Sequence, residues 1–164
     1  LIDKEKKNMS KVICIAGESG SGKTTSMRNL DPKTTYYIDA DGKGLSWKGW
    51  RKQYSKENKN YFACDDATIV RQYIKRIAEA CPSVRVIVVD TINGLMVADE
   101  MRRSKEKGYD KWVDLAACVW DLVCECYTYR DAGYIDPLRI AAKQERVYPL
   151  SIPSGRPGRI HEDL

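Results

Sequence analysis

Lys11-Val12-Ile13-Cys14-Ile15-Ala16-Gly17-Glu18-Ser19-Gly20-Ser21-Gly22-Lys23-Thr24 passes from a β-branched apolar run straight into a glycine-rich turn. Residues 11–16 read as a buried parallel strand. A helix is predicted to open at Gly22-Lys23-Thr24 and to end near Asn29, before Asp31-Pro32. Between strand and helix, Gly17 to Thr24 satisfies G-x-x-x-x-G-K-[ST] at every defined position. The spacing has a chemical reason. A polyphosphate needs several backbone N–H groups pointing inward, and glycines let the chain curl that tightly. The helix start adds its own free N–H groups. Lys23 is placed to reach β- and γ-phosphates, and Thr24 to offer its hydroxyl to Mg²⁺. Gly17, Glu18, Ser19, Gly20, Ser21, Gly22 and Thr25 complete the candidate phosphate contacts, with ATP as the expected ligand. The plain alternative is a merely flexible loop, but a strand before and a helix after argue against it.

Such a loop needs an acid at the end of a neighbouring strand to hold magnesium. Val84-Arg85-Val86-Ile87-Val88-Val89 is the most strand-like run in the chain, and Asp90 stands at its carboxyl end. Thr24 and Asp90 are therefore the candidate metal residues. Hydrolysis further needs a group that activates water. Thr91, not Glu, follows Asp90, which directs attention to Ile38-Asp39-Ala40-Asp41 at the end of the strand predicted over 35–38. Ligands gather at the carboxyl ends of parallel strands, so Asp41 is a candidate catalytic acid alongside Lys23 and Asp90. An ordinary Asp41-Gly42 turn explains the same residues equally well.

Helices are predicted from Asp65 or Asp66 to Pro82, over 92–106, and from Asp110 to about Asp131 with Gly133 as its cap. The first would bury Ile69, Val70, Tyr73, Ile74, Ile77, Ala78 and Cys81, and the last Trp112, Leu115, Ala116, Val119, Val123, Cys126 and Tyr127. Strands alternating with helices indicate an α/β fold with a parallel sheet flanked by helices.

The loop followed by an "Ile-Asp-Ala-acid" strand end resembles RecA-type ATPase cores. The stretches 17–32, Lys48-Gly49-Trp50 and Met101-Arg102-Arg103-Ser104-Lys105-Glu106-Lys107-Gly108-Tyr109-Asp110-Lys111 resemble a family of small bacteriophage AAA/RecA-like P-loop ATPases, placed among recombination and single-strand-annealing proteins. The resemblance covers about residues 10–132. It implies ATP binding with Mg²⁺, Asp90 as the Walker B acid and Asp41 as the water-activating acid, where RecA cores usually carry Glu. It also implies a role in phage DNA metabolism, in a bacterial host's cytoplasm, and catalysis at the interface of a homo-oligomer. A RecA-like core should follow its long helix with an apolar strand inserted between the Walker A and Walker B strands and ending in a polar sensor. Residues 134–164 offer only Leu138–Ala142, followed by Lys143-Gln144. The expectation is thus a core over 9–133, incomplete at its C-terminal end, and a poorly ordered or non-native tail over 134–164. Leu1 in place of Met makes residues 1–8 an expected fragment edge or upstream read-through, with Met9 as the expected start.

Composition narrows the class. A chain of 164 residues has room for one domain with a core. At 43% hydrophobic and 31% charged residues it reads as globular. No apolar stretch nears the roughly 18 residues that span a bilayer, and the charged start has no signal-peptide core, so a cytoplasmic, non-membrane protein is expected. Six cysteines without C-x-x-C, and a single histidine, His161, point to buried reduced thiols rather than a zinc site. From Lys43 to Lys59 six cations face one acid, Glu57, with Trp47, Trp50 and Tyr54 among them. Single-stranded DNA would find phosphate contacts at Lys48, Arg51 and Lys52 and a stacking surface on Trp50. A solvated loop anchored by tryptophans has the same composition. Two alternatives to an ATPase stay open: a small-molecule or nucleotide kinase, and a nucleotide-gated or non-catalytic DNA-binding module. A guanine-specific enzyme is disfavoured, because Asn-Lys-x-Asp is absent.

Overall fold

The computed structural model describes residues 11–127 and 129, and the backbone of 139–144. The element order is β1 (Lys11–Ala16), α1 (Lys23–Ser26) running into a 3₁₀ turn (Met27–Asn29), β2 (Thr35–Asp39), α2 (Trp50–Gln53), β3 (Tyr61–Ala63), α3 (Ala67–Ala80), β4 (Val86–Asp90), α4 (Ile92–Arg102), α5 (Asp110–Cys126) and β5 (Arg139–Gln144). The five strands form one sheet in the order β1-β5-β4-β2-β3, and every pairing is parallel. The chain is thus an α/β protein with a parallel sheet flanked by helices.

Alternation along the strands assigns two cores. Tyr36, Ile38, Ile87 and Val89 face one side, where they meet Val70, Ile74 and Ile77 of α3, Leu95 of α4, and Leu122 and Cys126 of α5. Tyr37 and Val88 face the other side, packed with Met27, Leu45, Trp47 and Tyr54. β2 and β4 are buried on both faces, as central parallel strands are. Asp66 caps α3, its carboxylate accepting from the backbone N–H of Thr68 and Ile69. α3 ends at Ala80, ahead of Pro82.

Several sequence-based expectations are corrected. The sheet does not lack a strand between β1 and β4: Arg139–Gln144 lies there, paired with both. β1 is not buried. Among the described residues it pairs with β5 alone, at one edge of the sheet, so Ile13 is 44% exposed and Cys14 is exposed as well. The six cysteines are free thiols and only Cys126 is fully buried. Residues 43–61, whose sequence shows neither period clearly, supply α2 and the start of β3. α4 stops at Arg102 rather than 106, where Arg103 turns to meet Asp99, Glu106 and Asp114. α3 leaves Ile69 exposed, and α5 buries Leu115, Leu122 and Cys126 while leaving Trp112, Val113 and Trp120 exposed. Both helices meet the sheet along narrower stripes than their apolar residues allow. The expectations for residues 1–9, Gly133, the rest of 134–164 and His161 lie outside the described residues.

Among the described residues, no helix is long and apolar enough to cross a membrane.

Candidate functional site at the carboxyl ends of the strands

β1 delivers the chain into the glycine loop, and backbone geometry there explains the composition. Gly20 has φ +78° and Gly22 φ +88°, left-handed values that a side chain would strain. Gly22 is also the residue from which α1 starts. Lys23 folds back into the loop and is only 6% exposed. Its Nζ donates to the Gly17 carbonyl at 2.6 Å, to the Glu18 carbonyl, and weakly to Ser21 Oγ at 3.4 Å. The lysine charge is thereby held at the centre of the curl, on carbonyls that belong to the loop itself. The Thr25 hydroxyl lies 2.9 Å from that of Ser46, outside the curl. Glu18, Ser19, Gly20, Ser21 and Gly22 are exposed.

Thr24 and Asp90 are 66 residues apart, and folding joins them: the Thr24 hydroxyl donates to Asp90 Oδ2 at 3.0 Å. The phenol of Tyr37 donates to the same oxygen at 2.5 Å. Asp90 is 6% exposed and lies opposite Asp39 in the β2–β4 register. Asp39 is 3% exposed and engaged in structure. It accepts from the backbone N–H of Gly42 at 2.9 Å and Gly44 at 2.7 Å, and from the Tyr61 hydroxyl at 2.7 Å. The two phenol–carboxylate bonds repeat one geometry. Tyr37 pairs with Val88 and reaches Asp90 two residues on, while Tyr61 pairs with Tyr37 and reaches Asp39 two residues on. Such diagonal neighbours on one sheet face lie within reach of long side chains. Burial, with the adjacent carboxylate adding to it, pushes both phenols well above the ordinary tyrosine range. Both remain neutral donors.

Asp41 lies just beyond the turn that Asp39 holds. Its Oδ1 accepts from the Thr91 hydroxyl at 3.2 Å and its Oδ2 meets Lys43 Nζ at 3.0 Å. The turn does exist, but Asp39 is the carboxylate that closes it. A cavity of about 290 Å³ is lined by Thr24, Asp39, Asp41, Lys43, Gly44, Leu45, Ser46 and Asp90. Thr24, Asp41 and Asp90 are thereby walls of one space. A second cavity, of about 550 Å³, shares Asp39, Asp41 and Lys43 with the first and adds Cys64, Asn93 and Val97.

The aromatic segment divides. Trp47 and Tyr54 belong to the core, with Trp47 Nε1 donating to Gln53 at 2.8 Å. Trp50 is half-buried. Its ring lies 5.1 Å from that of Tyr61, the Arg51 guanidinium sits 4.6 Å from its centre, and its edge packs on the α-carbon side of Gly44. Lys48, Arg51 and Lys52 are exposed.

Sequence reasoning missed Tyr37, Tyr61, Thr91 and Gly94. The period of two in β2, which sets Tyr37 and Asp39 on one face, was the available signal for the first. The partners of the others depend on strand order.

A scan of the sequence against protein-family models returns no match. A search of curated proteins returns none either.

Proposed function

We propose that this chain is an ATP-binding P-loop NTPase with a RecA-like sheet, hydrolysing ATP in phage-type DNA recombination or single-strand annealing. The observation that carries the reading is the 3.0 Å bond between the Thr24 hydroxyl and Asp90, made directly below the loop that holds Lys23. The strand order supports it too, because one strand separates β1 from β4, as the resemblance to RecA-type cores requires. Gln144, the last residue of that strand, pairs with Ala16 beside the loop, where a polar sensor is expected.

On this reading the loop N–H groups bind the phosphates. Lys23 exchanges the Gly17 and Glu18 carbonyls for β- and γ-phosphate oxygens. Thr24 and Asp90 offer a hydroxyl and a carboxylate, hard oxygen donors that suit Mg²⁺. Among the described residues no cluster of three or more His, Cys, Asp or Glu stands ready for a metal, so the remaining positions fall to phosphate oxygens and water. When bound, the ion supplies charge neutralisation at the β- and γ-phosphates. Asp41 orients the attacking water and takes up its proton, with Thr91 and Lys43 holding the carboxylate. Lys48, Arg51 and Lys52 are the proposed contacts to single-stranded DNA. Trp50, already packed on Tyr61 and Arg51, presents less surface for stacking than its sequence context suggests.

The experiment is Mg²⁺-dependent ATP hydrolysis with and without single-stranded DNA, alongside Lys23→Ala and Asp41→Asn. DNA-stimulated turnover lost in both variants supports the reading. Tight ATP binding without turnover would favour a nucleotide-gated binding module. A second enzymatic reading draws on the 550 Å³ cavity beside Asp41, which offers room for a small phosphoryl acceptor. ADP formation that depends on a hydroxyl compound and ignores DNA would favour that kinase.

A further inference from the structure

We infer that Tyr37 is the positioning residue of the magnesium carboxylate, fixing the rotation of Asp90 from inside the sheet. The inference rests on the P-loop reading of the site and adds a residue to it.

Two hydroxyls converge on Asp90 Oδ2 from opposite origins. Thr24 comes from the phosphate loop at 3.0 Å, and Tyr37 comes from the adjacent strand at 2.5 Å. A carboxylate at a strand end turns freely about its terminal bond unless an oxygen is pinned. Thr24 is a poor pin, because the same hydroxyl is the one that must serve the metal. Tyr37 has no such second duty and no freedom. It is fully buried, its ring 5.5 Å from that of Tyr54, and Trp47 stands edge-on to Tyr54 at 6.2 Å. Tyr54 is itself fully buried and donates to the Leu30 carbonyl at 3.3 Å.

The aromatic residues of the basic segment thus form a buttress behind the carboxylate. A hydroxyl in such a site is costly to bury unless it is bonded. Phe would fill the same core volume without that cost, so the phenol oxygen is explained by Asp90. Tyr61 shows what a structural version of the pair looks like: it bonds Asp39, a carboxylate whose other partners are the N–H groups of a turn.

The test is the affinity of the non-hydrolysed ATP analogue AMP-PNP, measured in EDTA and at graded Mg²⁺ on the full chain. Wild type is compared with Tyr37→Phe, Tyr54→Phe, Asp90→Asn and the Tyr37→Phe/Asp90→Asn double variant. The expected result is a roughly tenfold higher Mg²⁺ requirement in Tyr37→Phe. Its metal-free affinity and its thermal midpoint without nucleotide should stay near wild type. Tyr54→Phe, which removes a hydroxyl from the same buttress but not from Asp90, should keep the wild-type Mg²⁺ requirement. The double variant should be no worse than Asp90→Asn alone, because Tyr37 acts through Asp90. An unchanged Mg²⁺ requirement in Tyr37→Phe, or an equal loss with and without metal, would overturn the inference while leaving the nucleotide site standing. A wild-type chain that binds no AMP-PNP under any condition would overturn the P-loop reading, and this inference with it.

Discussion

The space that a side chain at Gly94 would occupy is filled by Asp41. A Cβ built on Gly94 would lie 2.1 Å from Asp41 Oδ1 and 3.0 Å from the Ala40 carbonyl oxygen. The first turn of α4 therefore supports the strand-end loop through the absence of a side chain, and the Thr91 hydroxyl, at the N-cap of that helix, bonds the same carboxylate oxygen at 3.2 Å. Gly94→Ala should push residues 40–41 away from the cavity that Thr24 and Asp90 share. The expected outcome is a fall in ATP turnover of at least tenfold with nucleotide affinity retained. A stability loss of about 1–3 kcal/mol from overpacking should accompany it. Steady-state kinetics set beside nucleotide titration and urea denaturation would check all three, and unchanged turnover would remove Asp41 from the mechanism.

If ATP binds as proposed, it should raise the thermal midpoint by binding the folded state, and Lys23→Ala should abolish that rise. The midpoint without nucleotide should move little, since the described partners of the lysine, the Gly17 and Glu18 carbonyls and Ser21 Oγ, belong to its own exposed loop. Differential scanning fluorimetry with and without Mg-ATP reads both quantities. A variant that keeps the ATP-induced shift would place the phosphates elsewhere.

Asp66→Ala removes the carboxylate that caps α3 and leaves the Thr68 and Ile69 N–H groups unpaired. The cost should be about 1 kcal/mol, seen as a lower urea midpoint with unchanged slope. ATP turnover per folded molecule should not change.

Arg71 of α3 bonds Glu125 of α5, and that bond, ahead of every other cause, lowers the Glu125 pKa. A depressed carboxylate stabilises the fold fully above its unfolded value, near 4.5, and loses that contribution as pH falls through the folded value. Arg71→Gln should therefore be less stable than wild type at pH 7, and the gap should narrow below about pH 4.5. Urea denaturation at pH 7 and pH 3.5 tests it, and a gap of constant size would show that packing, not charge, is what Arg71 supplies.

Binding to single-stranded DNA, where it occurs through Lys48, Arg51 and Lys52, should weaken with salt, and each Lys→Gln change should reduce the logarithmic slope by about 0.7. Trp50→Ala should instead lower stability, because it strips the packing from Tyr61 and Gly44. A Trp50→Ala chain with native stability and lost DNA binding would restore the stacking role to that ring.

The glycine-rich loop was legible because its geometry is local. Gly20 and Gly22 take backbone angles that only their own residue type tolerates cheaply, and Lys11–Ala16 and Lys23 onward are strand and helix by neighbouring sequence alone. The Asp66 cap is legible for the same reason, since donor and acceptor lie within three residues. Asp90 required one step more, a strand whose end is marked by its apolar run.

Strand order, and everything that follows from it, belonged to the tertiary structure. Arg139–Gln144 has little apolar character, and its place between β1 and β4 is set by hydrogen bonds to strands some 50 and 125 residues away along the chain. Pattern reading within a short window cannot register such a partner. The same holds for the carboxylates. By sequence, Asp41 reads equally as a catalytic acid or as part of a plain Asp41-Gly42 turn. In the fold, the register places Tyr61 beside Asp39 and turns that acid into a brace, while Asp39 and Asp41 both line the cavity. Tyr37 reads as one more aromatic in a buried strand until β4 lies beside β2 and sets Asp90 within 2.5 Å of its hydroxyl. Short-range sterics wrote the loop into the sequence. The site around it exists only where distant segments meet, because a hydrogen bond across a sheet depends on which strands are neighbours and not on the residues that flank either partner.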